Sequence, residues 1–102
     1  MMYYKLDQQG NAVRADGLAD MEECFNSMER IVAKDNVGDS EVSTVFLCID
    51  QNYSGDGVPV LWETMIFGGK HDQYQRRYTS KEEAVKVHNS LVQLLQQEES
   101  KC

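Results

Sequence analysis

Asp50, Asn52, Ser54, Gly55 and Asp56, within the run DQNYSGDG, repeat the first half of a calcium-binding loop. Such a loop places oxygen ligands at alternate positions and closes on a bidentate glutamate at the twelfth. Counted from Asp50, that place is held by Leu61, and the flanking runs VSTVFLCI and VPVLWETMIF have strand rather than helix character. Asn, Asp, Ser and Gly are also the residues a hairpin connection selects, because they tolerate left-handed backbone and form local turns. The loop is therefore expected to be a turn, and no metal site is assigned to it.

Other residues could do chemistry with Asp50. Glu63 interrupts an apolar run, between Trp62 and Thr64, on the strand side shared by Leu61, Met65 and Phe67. A carboxylate there must be hydrogen-bonded or paired, or else give up its charge. Arg76, Arg77, His71 and His88 are its candidate partners. Arg76 and Arg77 alternate with Tyr74 and Tyr78, an interleaving that could stack a base and neutralise one or two phosphates of a small nucleotide. His88 has no second His or Cys three or four residues away, so helical spacing does not make it a metal ligand. Asp50, Glu63, Arg76, Arg77 and His88 form the candidate ligand-binding set. No catalytic residue, metal or cofactor is assigned, since the phosphate loop, nucleophile elbow and metalloprotease helix are all missing from the sequence. A metal-dependent hydrolase would need Asp50, Glu63 and a histidine to converge.

The elements that must position these residues follow from periodicity. MYYKL and AVRA flank the turn cluster DQQGN and read as a short hairpin. Leu18, Met21, Phe25 and Met28 then recur at helical steps with Cys24 beside them, predicting a buried helix stripe, with Asp16 or an Asp20/Glu23 capping box at its start. RIVAKDNV, the turn GDS and EVSTVFLCI predict two strands, and the second is apolar on both sides, as a central strand covered on two faces would be. VPVLWETMIF is the next strand, entered at Pro59. QYQRRY is a polar edge strand after Gly68 and Gly69. Ser80 and Glu83 cap a final helix to about Gln97, with Ala84, Val87, His88, Leu91, Leu94 and Leu95 inward. The order ββ-α-ββββ-α predicts one α+β domain over residues 1–102, an antiparallel sheet of about four to six strands carrying two helices.

Charge narrows the partners. The net charge is −7, and the acids concentrate before residue 42, where Asp7, Asp16, Asp20, Glu22, Glu23, Glu29, Asp35, Asp39 and Glu41 face Lys5, Arg14, Arg30 and Lys34. An acidic face repels phosphate backbones, which argues against polymeric nucleic acid. It suits a basic cleft on another protein. Cys24, Cys48 and Cys102 lack a C-x-x-C spacing, and MMYYKLDQQG lacks the features of a signal peptide. Together these predict reduced thiols in a cytoplasm, with Cys24 and Cys48 as small core residues. No apolar run is long enough to span a membrane.

The stretch EVSTVFLCIDQNYSGDGVPVLWETMIFGG, followed by RYTSKEEAVKVH, resembles a family of small bacteriophage and prophage proteins. Its pattern is close to VSTVFLGxDHxFxGxxPPLLFETMVFGG, then RYxTxEEAxxGH. The likeness covers roughly residues 41–88 and implies a viral or prophage origin, hence a host cytoplasm, with no particular reaction attached. Asp50, Glu63 and His88 match the pattern, whereas Cys48 stands for its Gly, Gln51 for its His, Val58 for its Pro and Val87 for its Gly. The expected function is non-catalytic binding of a host or viral protein through an acidic face, an anti-defence inhibitor being one version. The alternative is a small-ligand or nucleotide binder of the sequestering type, and self-association through the edge strand fits either.

Overall fold

The computed structural model describes residues 2–52 and 57–100. Two short strands, β1 (Tyr4–Leu6) and β2 (Ala12–Arg14), pair as an antiparallel hairpin. Asp7 closes their turn, its Oδ1 accepting the Gln9 and Asn11 N–H groups at 2.9 and 2.8 Å. Helix α1 (Leu18–Asn26) and a 3-10 turn (Met28–Arg30) lead into a meander of β3 (Ile31–Val37), β4 (Ser40–Phe46), β5 (Trp62–Phe67) and β6 (Gln75–Tyr78). The long helix α2 (Lys81–Ser100) ends the described chain. The α+β order matches the sequence reading, with two antiparallel sheets, β1-β2 and β3-β4-β5-β6.

The four-stranded sheet is built by period-two alternation. Val42, Thr44 and Phe46 on β4 are buried on one face, and Trp62, Thr64 and Ile66 lie opposite them on β5. Helix α2 packs against this face, with Ala84, His88 and Leu95 buried beneath it. Ser80 caps α2 as expected, its Oγ accepting the Glu83 N–H at 3.2 Å. Leu94, predicted inward, is instead 48 % exposed, while Val92 joins Leu91 against Val37, Val42 and Ile66.

Two expectations about coverage are corrected. β4 is central, but helices cover it on one side only, and its other residues, Glu41, Ser43 and Val45, are half-buried. Helix α1 packs chiefly on β1 and reaches the larger sheet only at its end, through Cys24 and Met21. The hairpin joins that sheet by continuing past β4, through a bridge between Tyr3 and Ile49 and a Tyr4 N–H donating to the Cys48 carbonyl at 2.8 Å. A second core forms there, in which Cys24, Phe46, Cys48, Leu61, Trp62, Tyr78 and Ala84 are buried.

The cysteines are the larger correction. Cys24 and Cys48 are bonded as a disulfide rather than standing as separate thiols, with their Cα atoms 6.3 Å apart. Pairing of Tyr4 with residue 48 and packing of α1 on β1 bring together two positions 24 residues apart, which spacing alone could not show. The cysteine argument for a cytoplasmic location therefore falls, because disulfides are rare there. Among the described residues no helix is long and apolar enough to cross a membrane. Cys48 has φ +65°, a left-handed backbone that favours glycine. A Cβ at Gly68, with φ +80°, would collide with the Asp39 carbonyl, so the turn after β5 needs glycine.

Candidate functional site

Asp50 lies where the β4 extension enters the connecting loop. Its Oδ1 accepts the Asn52 N–H at 2.8 Å and the Val60 N–H at 2.9 Å, and the Gln51 N–H reaches the Val60 carbonyl at 2.9 Å. One carboxylate oxygen thus clasps the two ends of the loop. Ser54, Gly55 and Asp56 lie outside the described residues. Among those described, no group of three or more His, Cys, Asp or Glu side chains could hold a metal ion.

Glu63 points to the face of the sheet that α2 leaves open, directly opposite Arg77 in the β5–β6 register. Its Oε2 accepts from Arg77 Nε at 2.8 Å and from Gln75 Nε2 at 2.5 Å. The two cross-strand neighbours enclose it: the Glu63 side chain keeps 12 % exposure against 45 % for Arg77. Arg76, one residue along, projects to the opposite face because strand residues alternate. Its guanidinium carbon sits 5.5 Å from the Tyr78 ring centroid. Consecutive arginines on opposite faces cannot clamp one phosphate between them.

His88 is fully enclosed between α2 and the sheet. Nε2 lies 2.7 Å from Asp35 Oδ2 on β3, and Nδ1 lies 2.7 Å from Thr44 Oγ1 on β4. Thr44 in turn meets Thr64 Oγ1 on β5 at 2.6 Å. With a neutral imidazole carrying its proton on Nε2, the Thr44 hydroxyl donates to Nδ1 and the Thr64 hydroxyl to Thr44, whereas an imidazolium would reverse both bonds. Carboxylate, imidazole and hydroxyl follow the order of a nucleophilic triad. Thr44 and Thr64 are fully buried, however, so no substrate reaches either hydroxyl. The chain ends near Tyr78, whose buried hydroxyl stands by Thr64 without meeting hydrogen-bond geometry. Burial pushes the Tyr78 phenol above its ordinary value, with the Thr64 hydroxyl and the Arg76 charge partly opposing.

Asp50, Glu63 and His88 therefore occupy a loop base, the open sheet face and the helix–sheet interface, each with its own partners. His71, which the sequence left as a possible Glu63 partner, lies 2.9 Å from Glu98 on α2 instead. Asp35, Thr44 and Thr64 were missed by the sequence reading. Threonines at inward strand positions beside an inward His88 were the available sign of a buried polar chain.

The surface at α1 is the other departure from expectation. Of its apolar stripe, Cys24 alone is buried. Leu18 is 58 % exposed, Phe25 50 % and Met28, in the 3-10 turn, 79 %. Gly17 caps the helix without a side-chain hydrogen bond, so neither expected capping arrangement forms. A hollow of about 270 Å³ opens between the helix and the β4 extension, walled by Met21, Phe25 and Ile49 with Glu22 and Asn26 at its side. From residue 15 to residue 29 the chain carries Asp16, Asp20, Glu22, Glu23 and Glu29 and no Lys or Arg. Arg30 folds back, 4.5 Å from the Phe25 ring centroid, and its Nη1 donates to the Phe46 carbonyl at 3.0 Å. The result is an apolar patch with a mainly acidic border, on which Arg30 and Lys5 are the cations. No family model matches the chain, and no characterised protein or solved structure matches it.

Proposed function

We propose that this chain is a non-catalytic binding protein that presents α1 and its acidic border to a basic surface of another protein. The observation that carries this reading is the outward half of the α1 stripe, with Leu18 and Phe25 at least half exposed and Phe25 joining Met21 and Ile49 around the hollow. Fully burying a Leu, Phe or Met side chain contributes roughly 1.5–3 kcal/mol, so covering residues that are half or more exposed is worth roughly half that each. Phe and Met are enriched in the buried core of protein interfaces. The acids around them would speed encounter with a cationic partner and reject anionic ones. The resemblance to bacteriophage proteins makes a host or viral protein the natural partner, and an anti-defence inhibitor is one form this would take.

The test compares the wild-type chain with two surface variants, Leu18→Ser/Phe25→Ser and Glu22→Lys/Glu23→Lys. Each is first checked for native circular dichroism. A basic protein captured by the wild type at moderate salt should lose at least about tenfold in affinity for either variant, as removal of interface anchors or of charge complementarity predicts. Equal binding by all three chains would refute the assignment of the surface. So would sedimentation showing that the wild type covers this face by pairing with itself.

A further inference from the structure

Helix α1 is fastened to the molecule chiefly at one point. Cys24 is its buried residue, and Cys48, fully enclosed, belongs to the β4 extension that β1 holds by its backbone. Other fastenings are slight. The helix is nine residues long, too short to hold itself in water. Met21 is only partly buried against the neighbouring core. The Lys5–Asp20 ion pair, at 3.4 Å, is about one-third exposed on both sides, and such pairs contribute little. Leu18 and Phe25 face away from the core that would otherwise hold them.

We propose that the Cys24–Cys48 disulfide is a redox latch on α1, holding the helix and its apolar patch in place when oxidised and releasing them when reduced. The reductant is a dithiol. One of its thiolates attacks the sulfur of Cys24, the residue of the pair that lines an open hollow, and the Cys48 sulfur leaves as a thiolate and takes up a proton. The second thiol of the reductant then displaces Cys24. Two electrons and two protons pass to the cysteine pair, and the reductant becomes a cyclic disulfide. Val37, Val42, Ile66 and Leu95 form a separate core between the sheet and α2 that Cys24 does not enter, so that end of the sheet keeps its packing when α1 is released. A released helix must be ordered again on docking, which lowers affinity. This last consequence rests on the binding function proposed above, whereas the latch does not.

Hydrogen exchange of the intact chain, with and without dithiothreitol, reads the latch directly. Amides of residues 21–26 should exchange at least about tenfold faster after reduction, while those of residues 42–44 stay protected, as local opening predicts. Cys24→Ala should behave as the reduced chain in both conditions. Unchanged exchange at α1, or faster exchange across the sheet as well, would overturn the latch. A fluorescent amphipathic peptide of Lys and Leu serves as the binding probe, and its affinity should fall on reduction. If α1 loosens and a measurable peptide affinity does not change, the latch stands and the binding role of α1 fails.

Discussion

His88 Nδ1 and the Thr44 hydroxyl, 2.7 Å apart and both sealed from solvent, tie α2 to the centre of the four-stranded sheet. Their contact fixes helix against sheet more specifically than apolar packing would. Each group is costly to bury unpaired, so only a narrow range of helix positions satisfies both.

The first prediction concerns this pair. His88→Ala leaves a cavity and takes the imidazole partner from the buried Thr44 hydroxyl, and should lower unfolding free energy by about 2–4 kcal/mol. Thr44→Val strips the imidazole of its hydroxyl partner while keeping shape, and should cost about 1–3 kcal/mol. Urea denaturation measures both. Losses below about 0.5 kcal/mol would be typical of surface sites and would mean that the polar chain does not hold the helix.

Tyr78 should behave in the opposite way. Its buried hydroxyl meets no partner in hydrogen-bond geometry among the described residues, so Tyr78→Phe removes a poorly satisfied group without changing shape. Stability should stay within about 0.5 kcal/mol of wild type or rise. The pH dependence has a definite sign. Burial raises the phenol in the folded chain, so above the ordinary value of 10.0 the unfolded chain loses its proton first. The contribution of Tyr78 to stability is therefore level below that pH and declines above it. The decline should be shallower in Tyr78→Phe, and thermal melts across pH 8 to 11 would show whether the two curves differ.

Arg77 and Glu63 should be unequal when mutated. Removing Arg77 strands a carboxylate that is mostly enclosed, whereas removing the Glu63 charge frees a half-exposed guanidinium into water. Arg77→Ala should then cost about 1–3 kcal/mol and Glu63→Gln no more than about 1 kcal/mol. Chemical denaturation of the two variants side by side decides it. A larger loss for Glu63→Gln would show that the carboxylate does more than answer Arg77.

Local order was legible in the chain. Alternation in EVSTVFLCI and VPVLWETMIF gave β4 and β5, the Ser80/Glu83 box gave the start of α2, and Gly68-Gly69 marked the turn whose backbone only glycine fits. These features depend on neighbours within a few residues, where side-chain period and turn chemistry act directly. Tertiary structure decided what depends on distant segments meeting. It chose Arg77 for Glu63 through the strand register, joined His88 to residues 53 and 44 positions away, and bonded Cys24 to Cys48. It also turned half of the α1 stripe outward. Periodicity shows that a helix has an apolar face, but whether another element covers that face is settled only when the chain has packed.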